Sequence, residues 1–251
     1  MSTKYWLGGI GRILANLMGD LRGGRSFAFT KTLLRSGYTF DHRARLESRH
    51  FLDLFPAAEA KPMELGEIRF TRSNATPMEL YCLGCMVALK APRRIFEFGT
   101  FDGATTAHLA QHAPQAEVFT LDLDPGSINE DQPAIILDEV ENIRGGGVGR
   151  RFAQTPQAQR IHQLWGDSTT FDYTPYEGTM DFAFIDACHD YAFAKSDTAK
   201  ALRLVRRGTI VWHDYHPGWP GVMRAVDELL PKHRPVHIAG TTLAVLDRST
   251  E

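Results

Sequence analysis

Ile95-Phe96-Glu97-Phe98-Gly99-Thr100-Phe101-Asp102-Gly103 is the stretch that decides the fold. An apolar run that reaches an acid, turns on Gly99 and opens a helix at Gly103 is how an open α/β sheet makes room for a nucleoside-bearing ligand. The next apolar run, Val118-Phe119-Thr120-Leu121-Asp122, ends on a carboxylate at the distance from the turn where such a group accepts ribose hydroxyls. Leu123 and a second acid, Asp124, follow it.

The glycine spacing separates two ligand classes. A dinucleotide site asks for Gly-x-Gly-x-x-Gly, with the helix amino end against a pyrophosphate. Here the spacing is Gly99-x-x-x-Gly103, no basic side chain lies inside the turn, and Asp102 would repel a phosphate. Glu97 suits a positively charged group such as an amino acid ammonium. A ribose, a cation and no phosphate describe S-adenosylmethionine, with Thr100, Phe101, Thr105 and Leu123 lining the cofactor turn.

Further along lie Gly166-Asp167-Ser168, Phe184-Ile185-Asp186-Ala187-Cys188-His189-Asp190-Tyr191 and Val211-Trp212-His213-Asp214-Tyr215. With Glu97, Gly99, Gly103 and Asp122, these resemble the successive motifs of class I S-adenosylmethionine-dependent methyltransferases. The pairing of Asp186-x-x-His189 with His213-Asp214 is most similar to a bacterial small-molecule O-methyltransferase subgroup that includes macrolide sugar O-methyltransferases; catechol O-methyltransferase is more distant. The resemblance covers about Thr76 to Leu246 and is silent on residues 1–70. It implies a Rossmann-like, doubly wound seven-stranded sheet with the last strand antiparallel, adenine beside Asp167 and Ser168, and Asp186 near the cofactor.

In those relatives the first aspartate and an adjacent acidic pair hold magnesium, and the residue at the position of His189 acts as base. Carried over, this makes His189 the base and Asp186, His213 and Asp214 the metal site. His213 departs from the pattern, because magnesium prefers oxygen ligands and imidazole suits manganese, iron or zinc. A divalent cation, magnesium or manganese, therefore stays open. Without one, His189 and His213 become base and orienting group, with Asp214 fixing a tautomer. Methyl transfer is an in-line displacement in which positioning is worth about 7 to 11 kcal/mol. A phenol-like acceptor of pKa about 10 also needs about 4 kcal/mol of help to ionise at pH 7.

Composition bounds the rest. A chain of 251 residues, 43% apolar and 23% charged, can bury a core of ordinary size. A net charge of −2 gives no general attraction to nucleic acid or to an anionic membrane. Three cysteines (Cys82, Cys85, Cys188) argue for a reducing compartment, and no apolar run approaches a membrane span, so the expected location is cytoplasmic.

Residues 1–75 read as a helical extension, with helical spacing from Tyr5 to Leu21 and again from His42 to Phe55, and with the potential to form a homo-oligomer. The methyltransferase domain is expected over 76–251. Thr76-Pro77-x-Glu79 predicts a capped helix from Pro77 to Lys90. Strands are expected near 94–99, 117–123, 160–165, 180–186, 208–213, 235–239 and 242–247, and helices near 103–113, 132–143, 190–206 and 219–230. The last two strands read as a hairpin around Ala239-Gly240-Thr241.

The insertion at 125–159 is long for an α/β link. It reads either as a lid over the carboxyl edge, with Arg150 or Arg151 meeting an anionic substrate, or as a surface excursion. Cys82-Leu-Gly-Cys85 lies inside the capped helix and reads as two core thiols. His42, His50, His108, His112, His233 and His237 read as structural, and His216 stays open. Tyr191, Trp212, Tyr215 and Trp219 are expected near the acceptor pocket. The function that follows is methyl transfer to a hydroxyl of a small molecule, with natural product biosynthesis as the expected setting; the alternatives are another reaction on the same cofactor fold, or a non-catalytic binding module.

Overall fold

The computed structural model describes residues 44–65, 74–127 and 147–249. The expected helices from Tyr5 to Leu21 and near 132–143 lie outside these residues, as does the first half of the glycine run at 144–151.

Among the described residues, eight strands form one sheet in the order β1-β7-β8-β6-β5-β2-β3-β4. They are β1 (Ser48–Arg49), β2 (Arg94–Phe98), β3 (Glu117–Asp122), β4 (Ile161–Trp165), β5 (Phe182–Ile185), β6 (Thr209–Trp212), β7 (Val236–Ile238) and β8 (Ala244–Asp247). Only β8 runs antiparallel, against β6 on one side and β7 on the other. That is the doubly wound sheet with an antiparallel last strand that the motifs implied, extended by one edge strand.

The edge strand is the difference. Ser48 and Arg49 pair parallel with His237 and Ile238, and a single helical turn, α1 (Phe51–Leu54), follows before Pro56. The helix expected from His42 to Phe55 is therefore a strand and one turn over its described residues. Phe51 and Phe55 sit at helical spacing, but both serve the main core beside Tyr81, with ring centroids 5.1 Å apart and Phe51 6.1 Å from Tyr81.

Two apolar layers enclose the sheet. Ile95, Val118, Phe182, Phe184, Val211 and Val245 face α2 (Pro77–Lys90) and α3 (Ala104–His112). Phe96, Phe98, Leu121, Ile185, Ile210, Trp212 and Leu246 face α4 (Tyr191–Leu204) and α5 (Pro220–Asp227). Burial on both faces explains why the central strands read as continuous apolar runs rather than alternating ones. Cys82 and Cys85 are free, buried thiols of α2, as expected, and burial pushes Cys82 up to about 12.

Helix α2 begins as its sequence dictates. Thr76 Oγ1 accepts from the Glu79 amide, Glu79 accepts from the Thr76 amide at 2.8 Å, and Pro77 occupies the first turn. At the carboxyl end of α3, Arg160 donates to the carbonyls of Ala110 (2.8 Å), Ala113 (3.1 Å) and Ala116 (2.5 Å), which satisfies the Ala110 acceptor of the last helical turn and ties down the residues beyond it.

Strand order places the site. β2 has β3 on one side and β5 on the other, so consecutive connections diverge at its carboxyl end and open a crevice there. Glu97, Asp122, Asp186, His213 and Asp214 all lie on or just beyond the carboxyl ends of β2, β3, β5 and β6.

Candidate active site

The turn after β2 is held by backbone geometry that side chains would obstruct. At Gly99 φ is +89°, and a Cβ there would stand 2.2 Å from the Asp186 carbonyl oxygen. At Gly103 φ is +82°, and a Cβ would stand 2.6 Å from the Phe152 ring and 2.9 Å from the Gly149 Cα. Phe101, at φ +49°, adopts the left-handed region without being glycine. Asp122 makes this turn tenable. Its Oδ2 accepts from the amides of Thr100 (3.0 Å) and Phe101 (2.8 Å), and its Oδ1 from that of Leu123 (2.7 Å). Burial pushes the Asp122 carboxyl up, and those three bonds oppose the push.

Glu97 is fully buried beneath the turn. Its Oε2 accepts from Thr106 Oγ1 at 2.5 Å and Thr120 Oγ1 at 2.6 Å, and Thr100 Oγ1 lies 2.7 Å from Thr120 Oγ1. Its Oε1 has no hydrogen-bond partner among the described residues. Burial pushes the carboxyl up to about 8 against the two threonine bonds. A buried carboxyl with one unused oxygen is well matched to an incoming cation. Thr105 lies buried on the first turn of α3.

The described end of the long insertion is docked on this turn. The amides of Gly149 and Arg151 donate to the carbonyls of Phe101 and Asp102, both at 2.9 Å. The Arg151 guanidinium lies 3.6 Å from Asp102 Oδ2, so Arg151 neutralises the acid that repels phosphate rather than reaching out toward a substrate.

The second half of the site is a charged cluster. His189 Nε2 lies 2.6 Å from Asp214 Oδ2, and the His189 ring stacks on Trp219 with centroids 4.2 Å apart at 24°. His216 Nε2 lies 3.2 Å from Asp214 Oδ1. Asp214 sits at φ +59°, a strained position that aims its carboxylate between these rings. Asp186, His189 and Asp214 offer ligand atoms all within 4.8 Å of one another.

His213 lies behind that trio rather than in it. It is 8% exposed, its Nδ1 is 2.9 Å from Asp186 Oδ1 and 3.4 Å from Asp214 Oδ2, and its Nε2 is 3.3 Å from Glu79 Oε2. Burial opposes its protonation, but Asp186 and Asp214 outweigh burial and hold the ring well above the usual histidine range. Burial likewise works against the Asp214 charge, and His213 and His189 hold that carboxyl well below its usual range. A protonated imidazole facing carboxylates through both nitrogens has no lone pair for a metal.

Glu79 is the residue that sequence reading missed. One oxygen receives the Thr76 amide and His213; the other receives the Thr242 amide and hydroxyl, both at 2.7 Å. Burial opposes its ionisation, but those partners, His213 first, hold it at about 2. Its capping-box position gave a complete local account of it, so no local signal pointed beyond the helix.

The aromatic set divides. Trp219 covers His189, whereas Trp212 is fully buried with Nε1 donating to Thr198 Oγ1 at 2.9 Å. Tyr215 is buried as well; its oxygen accepts from the amides of Arg45 and Leu46 and donates to Asp227 Oδ1 at 2.7 Å. Tyr191 donates to Glu228 on the surface side of α4. His108, His112 and His237 bond backbone carbonyls, as structural histidines do. Asp167 and Ser168 form the loop after β4, where Asp167 Oδ1 accepts the amide and hydroxyl of Thr169.

Residues 96–215, just under half of the chain, match the family model described as a methyltransferase domain. No curated protein matches the chain by sequence. The chain is similar in structure to cofactor-bound Rv0187 from MTB, with TM-score 0.53, 19% identity, and coverage of 95% of this chain and 97% of that one. It is also similar to the O-methyltransferase TomG from Streptomyces achromogenes, involved in tomaymycin synthesis and solved with SAM, with TM-score 0.52, 18% identity, and coverage of 79% and 96%. Residues 96–215 thus resemble a methyltransferase domain, and the chain shares the fold of these solved structures. Among the described residues, no helix is long and apolar enough to cross a membrane.

Proposed function

We propose that this protein is a methyltransferase that moves a methyl group from S-adenosylmethionine to a hydroxyl of a small molecule. The observation that supports the reading is the packing of Gly99 against the Asp186 backbone, so close that a Cβ would stand 2.2 Å from the Asp186 carbonyl oxygen, which sets the donor turn beside the charged cluster. The fit to the donor rests on Glu97, whose unused oxygen suits the ammonium group. Asp122 has spent three of about four acceptor positions on backbone amides, which leaves room for one ribose hydroxyl. Asp167 and Ser168 take the adenine end.

In the transfer, the acceptor oxygen attacks the sulfonium methyl carbon, the carbon–sulfur bond breaks, and S-adenosylhomocysteine leaves. The hydroxyl proton passes to His189. Asp214, held ionised, holds the His189 ring through Nε2 and so orients it as the base. His213 serves as a buried cation that keeps Asp186 and Asp214 charged and aimed. Trp219 limits His189 to one ring orientation.

A second reading is favoured by the close approach of Asp186, His189 and Asp214, a donor set of two carboxylates and one imidazole that fits a divalent cation. Such a cation supplies a lowered pKa for the acceptor hydroxyl. In that reading His189, not His213, is the nitrogen ligand. Residues 76–251 act as the catalytic unit in either case, and the buried, reduced thiols of α2 suit a cytoplasmic enzyme.

The test is transfer of label from methyl-labelled S-adenosylmethionine to a panel of hydroxylated acceptors, with and without a chelator. Transfer that survives chelation supports the His189 base, and transfer lost to chelation and restored by manganese supports the cation. Failure to bind S-adenosylhomocysteine in calorimetry overturns both.

A further inference from the structure

Thr242 follows the turn between β7 and β8, and that turn is closed without its side chain. Thr241 Oγ1 does the closing, donating to the Ile238 carbonyl at 2.8 Å and accepting from the Leu243 amide at 3.0 Å. The Thr242 hydroxyl instead joins two other elements: it donates to Glu79 Oε1 of α2 at 2.7 Å and accepts from the Asp214 amide, just past β6, at 3.2 Å. Its direction is fixed, because an amide only donates and a carboxylate only accepts. The Thr242 backbone adds two bonds of its own, from its amide to Glu79 Oε1 at 2.7 Å and from the Tyr215 amide to its carbonyl at 2.8 Å.

These bonds close a ring on Asp214. Its backbone reaches Glu79 Oε1 through the Thr242 hydroxyl, and its side chain reaches the same carboxylate through His213, 3.4 Å from Asp214 Oδ2 and 3.3 Å from Glu79 Oε2. Asp214 stands at φ +59°, a conformation that persists only where the surroundings over-determine it. Its Oδ2 lies 2.6 Å from His189 Nε2, so the angle of this strained residue sets the angle of the imidazole. We infer that Thr242 is a positioning residue for methyl transfer: its hydroxyl pins the Asp214 backbone and so aims the Asp214 carboxylate at His189. The inference rests on the reading of the Asp214 cluster as the seat of the transfer. Thr242 touches no reacting atom and acts through Asp214, and a displacement of about 1 Å passed on to a reacting group is enough to lower a rate by about 100-fold.

The test uses the full chain, with steady-state transfer from labelled S-adenosylmethionine to the panel of hydroxylated acceptors and calorimetry with S-adenosylhomocysteine on the same preparations. Thr242→Val deletes the hydroxyl and keeps both backbone bonds, so kcat is expected to fall about 10- to 100-fold while acceptor KM and S-adenosylhomocysteine affinity change by less than about threefold. Thr242→Ser restores the hydroxyl and should bring kcat back to within about threefold of wild type. In an Asp214→Asn background, where there is no charge left to aim, Thr242→Val should lower kcat by less than about twofold more. Thr242→Ala is read in the same way if Thr242→Val does not fold. An unchanged kcat in the folded variant overturns the inference. So does a loss that serine fails to recover, or one that adds in full to that of Asp214→Asn, since either would mark a merely structural role. Each of these results leaves the transfer reading intact, whereas wild type that binds S-adenosylhomocysteine but methylates no acceptor overturns that reading and the inference with it.

Discussion

The donor turn and the charged cluster stand back to back across Gly99, yet they are built from opposite materials. The turn at 97–103 uses backbone amides, threonine hydroxyls and two glycines around a Glu97 that burial keeps largely protonated. The cluster alternates charges: Asp186 and Asp214 against the imidazolium of His213, with Glu79 closing the far side. A neutral cradle suits a ligand that brings its own charge. A charged cluster suits a step in which a proton must move.

Breaking the cluster should cost most. Asp214→Asn removes the charge that orients His189 and balances His213, so turnover falls by about 10²- to 10⁴-fold while S-adenosylhomocysteine binding changes by less than about threefold. Steady-state rates and calorimetry on the same preparation check this. An equal loss in both would mean that the two regions are not separable.

Breaking the turn should show the reverse pattern. Gly99→Ala puts a Cβ 2.2 Å from the Asp186 carbonyl at φ +89°, so the corner must shift. The expected result is about 100-fold weaker binding of S-adenosylhomocysteine and a loss of about 1 to 3 kcal/mol in stability, read by calorimetry and thermal melting.

Glu79 ties the cluster to the rest of the fold, and its variants should divide accordingly. Glu79→Ala strands His213 and removes one half of the capping box of α2, costing about 2 to 3 kcal/mol in denaturant unfolding. Glu79→Gln keeps the cap, since glutamine serves in a capping box, so more of its effect falls on turnover than on stability. Matching losses from both variants would show that the carboxylate matters only for packing.

The smallest effect concerns Asp197, whose carboxyl is pushed from 3.8 up to about 6 by burial. The folded state therefore holds this proton more tightly than the unfolded chain does. Its stabilising contribution is full below pH 3.8 and is lost as pH rises through about 6. Asp197→Asn mimics the protonated form and should raise the melting temperature by a few degrees at pH 8, with little change at pH 4, on a scale of at most about 3 kcal/mol. A lower melting temperature at pH 8 would show that the ionised carboxylate is compensated in place.

These regions also differ in how much the sequence discloses. The turn is contiguous, and Glu97, Gly99, Gly103 and Asp122 were legible because each meets the next through strand, turn and strand. Helix α2 was legible through Thr76, Pro77 and Glu79, and the parallel strands through their apolar runs. The cluster was half legible: Asp186, His189 and Asp214 follow strand ends, but the separation of His213 from them depends on Glu79, 134 residues away in sequence. Strand β1 escaped notice because two residues carry no period, and Phe51 and Phe55 imitate a helix face while filling the core. Tyr215 looked like a pocket aromatic because nothing local reveals that Arg45, Leu46 and Asp227 consume its hydroxyl.

The most direct test of one site with two chemistries is the proton balance of donor binding at pH 7, measured by titrating S-adenosylmethionine in buffers of different ionisation heat. A cation arriving at Glu97, whose carboxyl is pushed up to about 8, should displace its proton. The prediction is release of close to one proton on binding, abolished in Glu97→Gln with binding retained. Identical apparent heats in every buffer, or the same proton release from Glu97→Gln, would contradict the account.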